Sequence, residues 1–463
     1  MIASLPKVWL RLWWPKSVTA VLLLMAFQNF SQPAFADHMS EFAKNLTPIG
    51  AEAAGDAESG IPAWQGGIER PDPAWGYKLG GPHPDPYASD QVIARITSDN
   101  ASKNSKLTLV DARLLKEHPD SFALNVYPSH RSCGYPKKVY EAAAHNLKDA
   151  RLVNGGNGVD GAEMGFPFPI PSNGLELIWN HNLAYRGYKV THVEVGATPT
   201  KDGSFVLTKD RDRQIYPLGL VGAKSGASEN MDLIWSRAFL EPSRTAGGGF
   251  LFYNTIDQVV SPRQGWMFNP QSQRVSKIPT IAYDSPMASS DGVRLIDTQF
   301  MFNGAPDRYD WVVLGKEKMY VPYNSYHLSS PSISYDEIIK PGHLNPDFIR
   351  YELHRVWIVE ARLKIGSQHQ YSRRVFYIDE DSWLIVASAI FNSNGRMIAG
   401  QHAYVKNYYE VPLCVIDSEV LYDFDNGRYD VRGLKNAEVK PNYFASELSA
   451  SSLTPMDLRR TMR

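Results

Sequence analysis

The chain is poor in cysteine, with only Cys133 and Cys414 in 463 residues. A disulfide-rich scaffold and a cysteine metal cluster are excluded at once. Surplus positive charge is also missing. Beyond the first 36 residues the chain carries 45 Lys and Arg against 49 Asp and Glu. A nucleic-acid footprint needs a basic excess or stripe, and adsorption to anionic lipid needs the same. The twelve histidines are scattered, with no H-E-x-x-H or Cys-His spacing, so no metal site is expected. There is no G-x-S-x-G elbow, S-x-x-K pair or P-loop, which removes the short signatures of nucleophilic and phosphoryl chemistry. The run Gly155 to Gly161 resembles a phosphate cradle superficially. It follows a helical stretch and lacks the Lys-Ser/Thr that would complete one, so it reads as a loop, a candidate gate for a cavity mouth.

Long apolar runs are absent except at the N-terminus. Lys7, Arg11 and Lys16 precede the apolar stretch Val18 to Phe27, and Ala34-Phe35-Ala36 offers small residues for cleavage. That is the layout of a secretory signal over 1–36, too short to span a bilayer, which takes about 20 apolar residues. The expected mature chain begins near Asp37 and is periplasmic. In such an oxidising compartment Cys133 and Cys414 can pair, or they can remain two buried thiols.

Glycine and proline are concentrated instead. Residues 47–86 hold fifteen of them, too many for regular helix or sheet. Trp64, Trp75 and Tyr77 lie among them, so 37–88 is expected to be an ordered arm lying on the body. Residues 89–187 read as a helical region. A helix is expected from Ser89-Asp90 through Ile96, others over Leu107 to Glu117 and from Pro136 until Gly155 and Gly156 end it, and a last one carrying Leu175, Ile178, Trp179 and Leu183. From 188 to 445 the period becomes two. Strands are expected over Lys189–Ala197, Ser204–Arg211, Asp232–Leu240, Gly249–Asn254, Gly265–Asn269 and Arg274–Ile278. A hairpin is expected over 308–323, then a four-strand meander from Val356 to Val405 with turns at Asp379-Glu380-Asp381 and Asn394-Gly395. The acidic turn reads as solvated, and Arg373-Arg374 as a strand pair with one side chain outward. Residues 446–463 read as a polar tail. The fold class is α+β: a curved antiparallel sheet or half-open β-barrel closed on one side by helices, packed with 89–187 as one domain.

The strands are unusually aromatic, and several are apolar on both faces. Helices on one side cannot cover both faces, so either a thick sandwich core or a ligand trough is implied. The candidate trough residues are Trp235, Phe239, Phe250, Phe252, Trp266, Phe268, Trp311 and Trp357. A second feature is the stretch GFPFPIPSNGLELIWNHNLAYRG (165–187), in which Phe166 and Phe168 alternate with prolines ahead of Trp179 and His181. It presents apolar surface and holds no nucleophile-base pair. His181 reads as a packing or capping histidine, or otherwise as a ligand or proton carrier.

That stretch, with YPSHRSCGYPKKVYEAAAHN (127–146) and GWMFNPQSQRVSKIP (265–279), resembles the domain of unknown function 1329 family. Its members are periplasmic proteins of Gram-negative bacteria, described as outer-membrane lipoprotein-sorting-like. The Trp266 to Val275 hairpin and the 371–405 meander are also similar to the lipoprotein-carrier (LolA-like) superfamily. The resemblance implies a half-barrel with an apolar cavity, no catalysis and no cofactor. It implies binding or carriage of a lipid or other hydrophobic molecule in envelope transport. It also implies an RND-type exporter and an outer-membrane protein as partners, and an adaptor subunit docking one of them is the alternative function.

Overall fold

The structure, a computed structural model, describes residues 44–226, 230–279, 282, 284–287 and 289–462. The expected signal segment lies outside the described residues. In chain order the elements are β1 (Ala94–Ile96), α1 (Leu109–Glu117), β2 (Leu124–Val126), α2 (Lys137–Asp149), β3 (Arg151–Val153), β4 (Gly158–Asp160) and α3 (Gly174–Asn182). There follow β5 (Lys189–Ala197), β6 (Leu207–Ile215), β7 (Leu233–Glu241), β8 (Gly249–Asn254), β9 (Gln264–Asn269), β10 (Arg274–Ile278) and β11 (Tyr309–Pro322). After a short helical turn come β12 (Tyr351–Leu363), β13 (Arg373–Asp379), β14 (Ile385–Phe391), β15 (Met397–Asn407), β16 (Cys414–Asp423) and β17 (Arg428–Leu434).

All strands but the β3–β4 hairpin join one sheet in the order β1-β2-β12-β13-β14-β15-β16-β17-β5-β6-β7-β8-β9-β10, with β11 also on β12. Neighbours are antiparallel except where β2 meets β12 at Tyr351. β1 and β10 end the order without meeting, so the sheet does not close into a barrel. The fold is α+β, and a sheet of so many strands must twist and curve.

Local chemistry sets the helix starts. Thr108 caps α1 by accepting from the Asp111 N–H at 3.2 Å. Asn173 caps α3 by accepting from the Glu176 N–H at 3.0 Å; such caps satisfy donors that the first helical turn leaves unpaired. Pro136 stands at the start of α2.

Four expectations need correction. The stretch read as a helix over 89–96 is irregular up to Ile93 and then strand β1, because Ile93 donates its N–H to Val126 and Ile96 pairs with Leu124. The hairpin read over 308–323 is the single strand β11. Its break in periodicity is a bulge, with Val313 opposite Val359 and Gly315, at φ +148, opposite Ile358. Gly155 and Gly156 do not end α2, which stops at Asp149; they turn the β3–β4 hairpin. Residues 446–462 are no free polar tail. Leu448, Leu453, Leu458 and Met462 are buried against Ile215, Ile234, Leu251 and Phe268 of the sheet. The sheet also extends past the expected meander into β16 and β17.

The central strands are buried on both faces, and two different covers achieve it. On one face α1 packs on β14 and β15, with Val110 seated over Gly400, where a Cβ would lie 2.9 Å from its methyl. On the other face Ile390, Ala399 and Leu421 are covered by Val293 and Leu295 from the β10–β11 connection. That connection is the cover that periodicity alone did not reveal. At the β6–β9 end the C-terminal segment covers one face, and each large aliphatic side chain so buried contributes about 1.5–3 kcal/mol. The opposite face of that end is where a hollow opens.

The N-terminal arm is ordered on the body. Trp383 donates its indole N–H to the Ile49 carbonyl, Ile68 donates to Ser132, and Trp75 and Tyr77 lie on Tyr409 at 5.2 and 5.3 Å. Cys133 and Cys414 form a disulfide, with Cα atoms 5.5 Å apart across 281 positions of sequence. Among the described residues no helix is long and apolar enough to cross a membrane.

Candidate ligand-binding site

Strand parity builds the hollow. Side chains alternate across a strand, so Trp235, Arg237 and Phe239 of β7 share one face. Trp235 lies opposite Phe252, and Arg237 opposite Phe250. Phe250 in turn lies opposite Met267 of β9. These side chains, with Asp210, Asn254, Arg263, Ile278, Met287 and Gln299 among others, enclose a cavity of about 270 Å³. The aromatic wall is mutually packed: Trp235 meets Phe250 edge-on at 4.9 Å, and Phe250 lies 4.6 Å from Phe252 and 6.0 Å from Phe239. Edge-to-face ring pairs of this kind add about 0.5–1.5 kcal/mol beyond their buried area.

Four of the eight candidate trough residues, Trp235, Phe239, Phe250 and Phe252, therefore come together. The other four do not. Trp266 is opposite Leu251 and Phe268 is opposite Gly249, so both project to the reverse face, where they meet the C-terminal segment. Trp311 donates to the Pro306 carbonyl at 3.0 Å and packs between Phe302 and Phe376 in the core. Trp357 lies under the Lys316 ammonium, 4.8 Å from the ring centre.

The 165–187 stretch supports the site from outside. Phe166 is in the main core, and Phe168 and Trp179 belong to a smaller cluster with Val159 and Leu218. Trp179 donates to the Gly156 carbonyl at 2.9 Å, pinning the glycine-rich hairpin. His181 is fully buried. Its Nδ1 accepts from the Ile385 N–H at 3.1 Å, and its Nε2–H donates to the Phe300 carbonyl at 2.9 Å. Burial first, then the charge of Arg186, pushes its pKa down to about 3, so it is a neutral connector. It anchors the turn where Phe300 and Met301 take positive φ, and Phe300 lies 5.9 Å from Trp235.

Beneath the aromatic wall lies charge that sequence reasoning missed. Arg237 donates to Asp212 at 2.7 and 2.6 Å, to Asp210 at 3.3 Å and to Glu194. Its guanidinium carbon sits 4.8 Å from the Trp235 ring centre. Burial alone would raise the Glu194 and Asp212 carboxyls, but Arg237 and the neighbouring His192 outweigh it, and both stay below the ordinary range. Asp210 is pushed up to about 6, first by burial. Arg432 is bonded to Asp430 at 2.9 and 2.7 Å, and Arg294 to Asp430 at 2.5 Å and Glu419 at 2.9 Å. Arg237, Gln299 and Arg432 line both this cavity and a smaller one of about 100 Å³ that also takes in His192, Glu194 and Glu419. The signal for this layer was present in the alternation of Asp210, Asp212 and Gln214 along β6, in register with Arg237.

Among the described residues, two clusters have the side chains of a metal site, His192–Glu194–Asp212 and His354–Asp379–Asp381. The first is neutralised by Arg237. In the second, Arg131 clamps Asp381 at 2.6 Å, and His354 bridges Asp379 and Glu352. The turn Asp379-Glu380-Asp381 is thus buried and ion-paired rather than solvated, because the arm and Arg131 close over it. Arg374 is likewise buried on Asp297, while Arg373 reaches Glu360 near the surface.

A third hollow, about 490 Å³, lies where the arm crosses the body, between Pro82, His83, Tyr87, Tyr127, Tyr326 and Arg350. Its wall mixes tyrosines with Asp85, Asp90 and Arg350, unlike the aromatic wall over β7–β8.

The sequence model of the family described as Protein of unknown function (DUF1329) matches residues 95–459. The chain belongs to that family. A Pseudomonas aeruginosa relative named Uncharacterized protein PA3922 is 41% identical over 426 residues, 92% of this chain and 93% of the relative. Among solved structures, a DUF1329 family protein from Desulfovibrio piger is similar at 13% identity with a TM-score of 0.41, covering 59% of this chain and 92% of its own. A LolA superfamily protein from Nitrosomonas europaea is similar at 11% identity with a TM-score of 0.34, covering 61% and 98%.

Proposed function

We propose that the chain is a periplasmic binding or carrier protein for a small hydrophobic molecule, acting in envelope transport without catalysis. The observation that carries this reading is the cavity over β7 and β8, walled by Trp235, Phe239, Phe250 and Phe252. Among the described residues, the space lies between the aromatic face of β7 and β8 and the β10–β11 connection, which contributes Met287, Ile296 and Gln299 to its lining. Its 270 Å³ falls just below the range of about 300–1,000 Å³ that holds whole drug-sized ligands. The cargo is therefore a short molecule, or one chain of a larger one, rather than a bundle of acyl chains. Each buried methylene contributes about 0.8 kcal/mol, and association costs about 4–15 kcal/mol. A guest of this size is held with modest affinity, as a carrier that must release it requires.

The composition of the wall supports the non-catalytic reading. Among the described lining residues there is no histidine or cysteine, and Asp210 and its neighbours are tied to Arg237. On this reading the exporter and the outer-membrane protein implied by the family are the donor and the acceptor of cargo.

Solvent extraction of protein purified from its own periplasm tests the proposal: co-extracted hydrophobic material is expected. A neutral fluorescent naphthylamine gives the second test. Met267 is 41% exposed and lines the cavity, so Met267→Lys is tolerated by the fold but places an ammonium at the wall. Probe affinity should fall, by up to about tenfold, because a guest packed on that wall loses the Met267 contact and competes with hydration of the ammonium, whose stem can carry it into water. An empty protein and an unchanged affinity together refute the carrier.

A further inference from the structure

The hollow between the arm and the body has no part in the carrier reading. At about 490 Å³ it lies within the range of about 300–1,000 Å³ that takes a whole small molecule. The sequence shapes its near wall. Pro86 biases Asp85 away from helical backbone, and Asp85 Oδ1 accepts from the Tyr87 N–H at 2.8 Å, which closes a turn. That turn is fixed on both sides. Tyr409 donates to the Pro84 carbonyl at 3.2 Å, His83 and Glu410 are hydrogen-bonded at 2.8 Å, and Tyr87 stacks on His130 at 3.8 Å. The far wall is Tyr127 and Arg350, beside β2 and β12, with Tyr326 and Pro331 from the loop after β11. A hollow held in this way is formed before a guest arrives, which lowers the cost of binding.

Apart from histidines, three ionisable acid or base side chains line it, Asp85, Asp90 and Arg350. Two of them satisfy each other. Arg350 donates to Asp90 at 2.5 Å, to Glu352 at 2.5 Å and to the Pro128 carbonyl at 2.8 Å, and Asp90 also pairs with His130 at 2.8 Å. The Arg350 guanidinium carbon lies 4.7 Å from the Tyr127 ring centre and 5.4 Å from that of Tyr87. Asp85 has no such partner. Among the described residues its Oδ2 receives no hydrogen bond and no Lys or Arg stands at ion-pair distance, yet the atom is not sealed from solvent, so a guest can reach it. Burial pushes the Asp85 carboxyl above the ordinary range, against the smaller effects of the Tyr87 N–H and Arg350. A partly desolvated carboxylate without a cation beside it gains most from a guest that supplies one.

Other guests fit less well. An anion would meet two carboxylates, and the one guanidinium is already shared between Asp90 and Glu352. A neutral guest would offer Asp85 an uncharged donor, and a bond with one ionised partner is weaker than one with two.

We propose that this hollow binds a small organic cation, an ammonium or guanidinium group carried on an apolar body. The cationic N–H donates to Asp85 Oδ2, and the body lies against Pro82, Pro84, Pro331 and Ile349. The hollow shares no lining residue with the cavity over β7 and β8, so this site stands whether or not the other carries a cargo.

The test is isothermal titration calorimetry of the full mature chain at neutral pH with phenethylamine, 2-phenylethanol and hydrocinnamate. These guests have similar shape and are cationic, neutral and anionic. Phenethylamine should bind about tenfold or more tighter than the alcohol, the gain expected from one charge-assisted hydrogen bond. Hydrocinnamate should bind more weakly than the alcohol. Asp85→Asn keeps an acceptor for the Tyr87 N–H and so preserves the turn. It should bring the amine down to the affinity of the alcohol and leave the alcohol unchanged. Saturation with the naphthylamine should leave amine affinity as it was. Equal affinity for amine and alcohol, tighter binding of hydrocinnamate, or no amine binding at millimolar concentration overturns the cation site. An amine preference that survives Asp85→Asn, or competition between amine and naphthylamine, overturns it as well. The three guests on the unmodified protein decide the charge preference even if the variant fails to fold.

Discussion

Replacing Arg237 with methionine removes the cation beneath the Trp235 ring while keeping most of the side-chain volume. The residue is nearly completely buried, and its guanidinium contacts three carboxylates, those of Asp212, Asp210 and Glu194. Removing one partner of a buried ion pair costs about 3–5 kcal/mol, because the remaining charge is left uncompensated. Total stability for a domain is about 5–15 kcal/mol, so the loss is a large share. With a urea slope of about 3 kcal/mol per molar, the unfolding midpoint at neutral pH should fall by about 1 M or more.

The pH dependence makes the test specific. In the unmodified protein the Glu194 and Asp212 carboxyls are held below their unfolded values, burial being outweighed by Arg237 and His192. Their contribution is therefore complete above a pH of about 4 and is lost on acidification. Without Arg237 the same two groups are raised by burial. Their cost is then present at neutral pH and relieved as the pH falls, when they bind protons. The two stability curves should converge between about pH 7 and pH 4. A deficit under about 1 kcal/mol, or one that stays constant over that range, would refute the argument that Arg237 neutralises this layer.

Other expectations follow from the same structure. Asp210, raised to about 6, contributes stability that is lost as the pH rises through that value; Asp210→Asn should stabilise the protein at neutral pH by no more than about 3 kcal/mol, read from urea midpoints above and below pH 6. His181, with its pKa lowered to about 3, makes stability fall on acidification below the unfolded histidine value of about 6.5. His181→Phe should abolish that component and, by leaving the Ile385 N–H and the Phe300 carbonyl unpaired, cost about 2–5 kcal/mol at neutral pH. Replacing both Cys133 and Cys414 with alanine should cost about 2–5 kcal/mol, with reduction of the native protein producing the same midpoint shift. Deleting residues 446–463 exposes Ile215, Ile234, Leu251 and Phe268; binding of an apolar dye at the β6–β9 end should rise sharply, and unchanged dye binding would contradict the packing.

Strands with clean alternation were readable from the sequence. Lys189–Ala197, Gly249–Asn254 and Arg274–Ile278 fall on β5, β8 and β10 residue for residue. The part that misled was apolar spacing without a face to judge it by. Val92, Ile93 and Ile96 fit a helix as well as a strand end, and only the pairing with Leu124 and Val126 decides. At the site, parity was the missing step. Trp266 and Phe268 are as aromatic as Phe250 and Phe252, but register sets them on the reverse face. Buried charge was hidden for a related reason. Arg237 and Asp212 are ordinary surface residues in a one-dimensional reading, and they become a core pair only because β6 and β7 align them. The disulfide needed a distance between two distant chain segments, which composition does not contain.

The sheet is two series of nearest-neighbour hairpins, β5 to β10 and β12 to β17, stitched by Val431 to Ala197 and Leu434 to Val195. Each series can zip up from local turns, whereas the stitch must wait for segments far apart in the chain to find each other. The half carrying the cavity over β7 and β8 thus gains its inner flank only after the final strand of the other series has arrived. An emerging polypeptide held short of β17 would display β5 as a raw edge, open to pairing with another copy.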